Sequence, residues 1–191
     1  KKNFNDDSKE YKYLQVIEDE TRRINEIIRE MLMLAKPLGF SLVKAELQEI
    51  IIETLNLMQS EAILRNVNIE TNFLPFSLSV NVDIPHIKQI FVNIIKNGIE
   101  AMPFGGKLTI KTNIDKITEK AYAKVTIIDQ GIGIPKENLG KIFDPFFTTK
   151  EGGTGLGMSV TYQIIKQHNG IIKVDSELGK GTVVNVLIPL I

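Results

Sequence analysis

Asn93 and Asn97 stand one helical turn apart in the run Asn93-Ile94-Ile95-Lys96-Asn97-Gly98-Ile99-Glu100-Ala101. At about 100° per residue, Gln89, Asn93, Lys96, Asn97 and Glu100 share one sector of a helix, while Ile87, Ile90, Phe91, Ile94 and Met102 fill the opposite half. Such a polar face either offers neutral amide oxygens to a hard cation or is simply the wet side of an amphipathic helix, and alone it does not choose. Further on, Asp129-Gln130-Gly131-Ile132-Gly133-Ile134-Pro135 follows a strand pattern. Its glycines let backbone approach a flat ligand where side chains would collide. A carboxylate at a strand end can accept a hydrogen bond from an exocyclic amino group, which selects adenine over guanine. A tight turn capped by an aspartate explains the same heptapeptide equally well.

Gly152-Gly153-Thr154-Gly155-Leu156-Gly157 opens a helix, so backbone N–H groups and the positive end of the helix dipole can face a phosphate chain. It is neither a Walker loop nor a dinucleotide fingerprint, because Gly157-Met158 stands where a Walker lysine and hydroxyl belong and no acidic residue marks a ribose. Between the glycine clusters, Ile142-Phe143-Asp144-Pro145-Phe146-Phe147-Thr148-Thr149-Lys150 puts three phenylalanines into a polar stretch. They clamp the loop onto a partner or anchor it to the core, and Lys150 with the two threonines reaches phosphate oxygens once the loop closes. Last, Gly179-Lys180-Gly181-Thr182 tightens a turn and points a hydroxyl back toward the sheet.

These residues need a frame. Residues 11–35 carry Leu14, Ile17, Thr21, Ile24, Ile28, Met31 and Ala35 at steps of three and four, the heptad spacing of a bundle helix. Ile27 and Leu34 widen the stripe, and Pro37 and Gly39 end it. Residues 46–64 form an amphipathic helix through Leu47, Ile50, Ile51, Leu55 and Met58. A strand pair follows, Val67, Ile69 and Phe73 in one and Leu78, Val80 and Val82 in the other, broken at residues 72–77. A helix over residues 85–102 carries the asparagines. Gly105-Gly106 ends it, and two alternating segments run through Leu108, Ile110, Thr112 and Ile114, then Val125 and Ile127. Residues 131–154 show no sustained period, as expected of a functional lid. A helix over residues 156–168 and strands over 171–176 and 182–190 close the chain. Because several strands join directly, the pattern predicts α+β architecture, one mixed sheet with helices on one face, rather than a doubly wound parallel sheet.

Composition adds exclusions. The 191 residues hold 23 lysines plus arginines against 23 aspartates plus glutamates, so sequence-independent attraction to nucleic acid or anionic membrane is absent. No cysteine is present, which removes disulfides and thiolate metal sites. No apolar run approaches the roughly 18 residues of a membrane span, and a cytoplasmic location, free or as part of a membrane-anchored sensor, is expected.

With these motifs in this order, the chain resembles the catalytic ATP-binding domain of sensor histidine kinases, in the superfamily that includes gyrase, Hsp90 and MutL. The N box resembles residues 93–101, the first glycine box 129–135, the F box 143–150 and the second glycine box 153–157, with Gly181-Thr182 completing the set. Arg22, Arg23 and Ile24 leading to Leu34-Ala35-Lys36-Pro37 resemble the second helix of the family's dimerisation and phosphoacceptor domain. The Ile-Glu-Ala N box and Phe-Phe-Thr-Thr-Lys lid resemble the nitrogen-regulation and sporulation kinases most.

The resemblance implies a Bergerat-type two-layer sandwich preceded by a long bundle helix, with residues 1–36 as dimerisation helix, 37–43 as linker and 44–191 as catalytic domain. It implies ATP and Mg2+ as ligands, Asn97 helped by Asn93 on the metal, and Asp129 on the adenine amino group with Thr182 supporting it through water. Gly131, Gly133, Lys150, Gly153, Thr154, Gly155, Leu156 and Gly157 line the nucleotide, and Asn93, Asn97 and Lys150 carry catalysis. Superfamily members that hydrolyse ATP have a glutamate where this chain has Asn93, so transfer to a histidine is favoured over hydrolysis. The acceptor histidine belongs to a helix outside the sequence; His86 reads as a helix-start residue and His168 as a cation at a helix end. A homodimer, a response regulator, and an upstream sensor domain or protein inhibitor are the implied partners. An ATP-hydrolysing clamp and a non-enzymatic nucleotide-binding docking module are the alternatives. Gln130, Gly98 and Met158 depart mildly from the family pattern, and Gly98 loosens its helix by about 1 kcal/mol relative to alanine.

Overall fold

In the computed structural model, which describes residues 9–35, 39, 41–150 and 152–191, the chain separates into two units, Lys1–Leu38 and Gly39–Ile191. The first contributes helix α1 (Lys9–Ala35), whose heptad residues Leu14, Ile17, Ile24, Ile28 and Met31 are exposed. The expected helix stop at Pro37 lies outside the described residues. No helix among the described residues is long and apolar enough to cross a membrane.

The second unit runs β1 (Val43–Glu46), α2 (Leu47–Leu64), β2 (Val67–Asn72), β3 (Ser79–Val82), α3 (Ile84–Glu100), β4 (Gly106–Ile117), β5 (Lys120–Ile128), α4 (Lys136–Leu139), α5 (Gly157–Gln167), β6 (Ile171–Glu177) and β7 (Gly181–Pro189). Five strands form a sheet of order β2-β4-β5-β7-β6, in which β2 and β4 are parallel and the other pairs antiparallel. Period-two patterning gives this sheet two unlike faces. The register aligns Ile110, Ile127 and Val184 in one row and Thr112, Val125 and Val186 in the next, all of them buried. On the other face Lys111, Thr126, Asn185 and Lys173 form a polar row, with Thr126 donating to Asn185 Oδ1 at 2.8 Å. Helix α3 packs against β4 and β5, α5 against β6, and α2 against β2 and α3. The expected mixed sheet with helices on one face is therefore the fold. The apolar half of α3 faces inward as its periodicity requires, with Ile87, Ile90, Phe91 and Ile94 all buried.

Two details differ from the sequence reading. The segments at 67–73 and 78–82 do not pair with each other: β2 joins β4, whereas β3 pairs with β1, a short strand that the sequence reading did not include. The intervening stretch carries the chain between sheets, with Leu74 N donating to Thr112 Oγ1 of β4 at 2.8 Å. The lid stretch also contains the single-turn helix α4.

The rear ends of α3 and α5 are joined. Asp83 caps α3, its Oδ1 accepting from His86 N at 3.2 Å, a bond of a kind worth about 1 kcal/mol. Its Oδ2 accepts from Ser41 N at 3.0 Å. His168 at the end of α5 is buried, and its Nε2 accepts from Asp83 N at 3.0 Å. That contact makes Nδ1 the protonated nitrogen, which donates to Ile164 O at 2.8 Å. The expectation of a cation there is thus corrected: the ring is neutral, because burial pushes its pKa below the ordinary 6.5, with the Ile164 bond and the Asp83 charge opposing only in part. At Asp83, burial raises the carboxyl, but hydrogen bonds from Ser41 and His86 and the charge of His86 outweigh it and hold it below 3.8.

For His168, the unfolded chain takes a proton at higher pH than the folded one, so stability must fall as pH drops through 6.5 toward the lower folded value. The contribution of Asp83 is retained until pH falls below 3.8. Urea midpoints should accordingly be lower at pH 5.5 than at 7.5, and His168→Gln should shrink that difference while costing about 1–3 kcal/mol at pH 7.5. An undiminished pH dependence in the variant would assign it elsewhere.

Candidate functional site

The start of α5 meets the middle of α3 at Asn93. Its Nδ2 donates to Gly157 O at 2.9 Å and to Thr161 Oγ1 at 3.2 Å, and its Oδ1 accepts from Gln89 Nε2 at 3.3 Å. One turn later, Asn97 Oδ1 accepts from the Lys150 ammonium at 2.8 Å, and the same ammonium is paired with Glu100 Oε2. The polar sector of the helical wheel is therefore not merely solvated. It bonds the start of α5 and the lid.

Asp129 directly follows β5 and is buried. Its backbone continues the sheet, Asp129 N donating to Thr182 O at 3.0 Å. Oδ1 of its side chain accepts from Gly131 N at 2.9 Å and from Thr182 N at 3.2 Å. Burial raises the carboxyl above the ordinary 3.8, against the pull of those two amides and the charge of Lys150. Thr182 thus meets Asp129 through its amide. The Thr182 hydroxyl lies 2.9 Å from Ser176 Oγ. Because Ser176 Oγ donates to Gly181 O at 2.9 Å and accepts from Ile134 N at 2.8 Å, the proton between the two hydroxyls comes from Thr182.

Ser176 was not singled out from sequence, since it sits in an ordinary alternating strand; only the register that sets it opposite Thr182 exposes its role. Glu100 shared the polar sector but had no assigned task.

The glycines serve chain-to-chain approach. A Cβ at Gly131 would lie 2.4 Å from Ala101 O, one at Gly133 (φ +69°) 2.1 Å from Glu177 O, and one at Gly181 (φ +103°) 2.1 Å from Asp129 O. Gly98 is buried on α3, and a methyl there would stand 2.8 Å from Leu108 Cδ1. The propensity lost at Gly98 therefore permits close contact with the sheet.

The lid is fastened at both ends. Phe143 packs on Tyr162 of α5, ring centroids 5.2 Å apart, which gives one phenylalanine an anchoring role. Phe146 is exposed at φ +67°, with Gly155 (φ +68°) so close to its backbone that a Cβ would lie 2.4 Å from its carbonyl carbon. Lys150 N donates to Thr148 Oγ1 at 3.1 Å, and Gly153 N to Lys150 O at 3.1 Å. Thr154 Oγ1 accepts from Leu156 N at 3.3 Å, and Leu156 is buried in the core. Gly157 then begins α5, whose N-cap residue supplies no side-chain cap. Its first amides point out of the helix end. Asn93, Asn97, Lys150 and residues 153–157 are brought together through this lid and helix start, while Asp129, Gly131, Gly133 and Thr182 form a second cluster joined to α3 by the Gly131–Ala101 and Gly98–Asp129 approaches.

This pairing of a buried strand-end carboxylate with an asparagine helix and a glycine-flanked lid is that of a nucleotide-binding fold. Residues 82–191 match the family of histidine kinase-, DNA gyrase B-, and HSP90-like ATPases, and the chain belongs to that family. Within it the chain is a histidine kinase ATP-binding catalytic domain. It is 42% identical over 179 residues to Sporulation kinase C of Bacillus subtilis (strain 168), covering 93% of this chain and 41% of that protein. The catalytic domain of histidine kinase ThkA superposes with a TM-score of 0.68 at 34% identity, covering 78% of this chain and 95% of that one. ThkA in complex with the response regulator protein TrrA matches over 98% of this chain and 53% of that one, with a TM-score of 0.74 at 30% identity. The chain thus spans about two fifths of the length of Sporulation kinase C.

Gly133→Ala should destabilise the catalytic unit by about 1–3 kcal/mol, because strain at positive φ adds to the collision with Glu177. Gly140 caps α4 at φ −70°, and a Cβ there would meet nothing within 4 Å. Gly140→Ala should be neutral or stabilising by about 0.4–1 kcal/mol, both variants being read by urea unfolding.

Proposed function

We propose that this chain uses Mg-ATP to phosphorylate a histidine on a dimerisation helix outside the sequence, from which the phosphoryl group passes to an aspartate of a response regulator. The observation that carries the reading is the state of Asn93. Hydrolysing members of the superfamily place a glutamate there, whereas here a neutral amide is tied to Gly157 and Thr161 and cannot take a proton from water. Bound ATP is then held for a better nucleophile, an imidazole, which attacks the γ-phosphorus as the bond to the β-phosphate oxygen breaks.

Asp129 accepts the adenine amino hydrogen, its carboxylate fixed by Gly131 and Thr182. Residues 153–157 give backbone amides to the phosphate chain at the start of α5. Lys150 meets phosphate oxygens as a charge-assisted donor. Asn97 would hold magnesium with help from Asn93; its Oδ1 already faces a cation, the Lys150 ammonium, which fits an oxygen that takes a hard metal. Magnesium, when bound, neutralises charge on the phosphates.

Residues 1–36 act as the second helix of the dimerisation domain, 37–43 as linker and 44–191 as catalytic domain, with α1 pairing in a homodimer and the unit working in the cytoplasm. The response-regulator step is supported by the relative ThkA, whose solved complex contains the response regulator protein TrrA.

Mixing this chain with a separate histidine-bearing dimerisation domain, γ-labelled ATP and magnesium should yield acid-labile, base-stable label on histidine. Label that stays off the histidine while ATP is steadily hydrolysed would favour the clamp reading instead. Asp129→Asn should weaken ATP binding about tenfold to a hundredfold by equilibrium titration, the loss expected when a charged hydrogen-bond acceptor is removed. Unchanged affinity would remove Asp129 from the adenine site.

A further inference from the structure

Glu100 has no task in the reaction above, although it stands three residues beyond Asn97 on the same side of α3. Its Oε2 is paired with the Lys150 ammonium, while the backbone of Lys150 is bonded within the lid, its N to Thr148 Oγ1 and its O to Gly153 N. The lid is thus anchored to α5 by Phe143 at one end and enters α5 at the other. The strut from Lys150 to α3 is its connection across the middle. The strut ends on Asn97 Oδ1 at 2.8 Å, the oxygen that the proposed function gives to magnesium. An ammonium and a divalent cation cannot share that oxygen, because two positive charges a few ångströms apart in a partly screened site repel each other. They are alternatives.

Resting on that functional reading, we propose that Glu100 is a positioning residue: with no nucleotide present it holds Lys150, and with Lys150 the lid, across the magnesium ligand, so that Mg-ATP enters by exchange of cations. Asn97 would then hold the metal, and Lys150 would leave Glu100 for the phosphates. An amide oxygen alone would bind the ammonium weakly; the carboxylate turns the contact into a charge-assisted pair. The pair is partly exposed, with 41% of the Lys150 side chain and 22% of the Glu100 side chain open to solvent. It is accordingly weak enough for nucleotide to break. The latch sets where the lid rests and has little weight in overall stability.

The test uses the full chain. Without nucleotide, Glu100→Gln should speed amide hydrogen exchange in the lid about two- to fivefold, the factor expected from losing an exposed ion pair. In a Lys150→Met background the same substitution should add nothing, because the partner of the carboxylate is already gone. With nucleotide, Glu100→Gln should tighten Mg-ATP binding by a similar factor, since the latch no longer has to be broken, and urea unfolding should be unchanged. Lid exchange that ignores Glu100→Gln, or an effect of full size in the Lys150→Met background, overturns the latch. Mg-ATP affinity that falls in Glu100→Gln overturns it as well and makes Glu100 a metal ligand instead. Wild-type chain that shows the lid protection but binds no Mg-ATP overturns the functional reading, and cation exchange with it, through a readout separate from the lid measurement.

Discussion

A buried carboxylate at the end of β5 governs the catalytic unit. Removing Asp129 from water raises its pKa, and a charge in that position is tolerable only where hydrogen bonds replace the lost solvent. The two amides that replace it come from opposite directions, Gly131 from the turn that leaves β5 and Thr182 from the start of β7. Both approaches demand glycine. The chain at Gly181 passes so close to Asp129 O that any side chain would overlap it, and Gly131 lies against Ala101 O at the end of α3. Gly98 brings α3 close to the sheet at the same place, with Leu108 filling the space a methyl would need. The register of β5 against β7, the end of α3 and the serine–threonine pair behind Thr182 all follow from solvating one side chain with protein atoms.

Helix α5 is bonded at both of its own ends to α3, at the cap of α3 and at its middle. At the rear, His168 of α5 accepts from the backbone of Asp83, which caps α3. At the front, Asn93 of α3 donates to Gly157 and Thr161 of α5. Two helices tied at two points about three turns apart cannot slide past each other without breaking buried bonds. The start of α5 is consequently held at a set height beside Asn97. The lid is tethered beside it by Phe143, Lys150 and the entry to α5.

Much of this was legible in the sequence because its signals are local. The wheel of α3, the strand-end Asp129 and the alternation of β4 and β5 each depend on neighbours a few residues apart, and each stands in the fold as read. What could not be read was pairing at a distance. The partnership of β1 with β3, the departure of β2 to β4 and the bond from His168 to Asp83 link residues far apart in the chain, and the contact of Ser176 with Thr182, only six residues apart, depends on the register of β6 against β7. His168 shows the cost of reading locally: a histidine at a helix end suggests a cation facing carbonyls, yet a donor 85 residues away selects the neutral ring. Glycine was legible as necessary at 131 and 133, but its nearest constraint is backbone of the same chain, and only coordinates separate that from a ligand.

Electrostatics separates holding a nucleotide from hydrolysing it. A general base for water needs an available carboxylate beside the reacting phosphate, and position 93 supplies an amide whose hydrogens are committed to α5. A carboxylate does stand nearby, at Glu100, but its charge is met by Lys150, which holds its oxygen in a pair. The same α3 face therefore carries a neutral amide oxygen at Asn97 and a carboxylate at Glu100, both engaged by the Lys150 ammonium. Under the proposed function, that distribution would favour holding a nucleotide over hydrolysing it. On the same proposal the nucleophile would come from outside the catalytic unit, and the residue at position 93 of α3 would decide between transfer and hydrolysis within one fold.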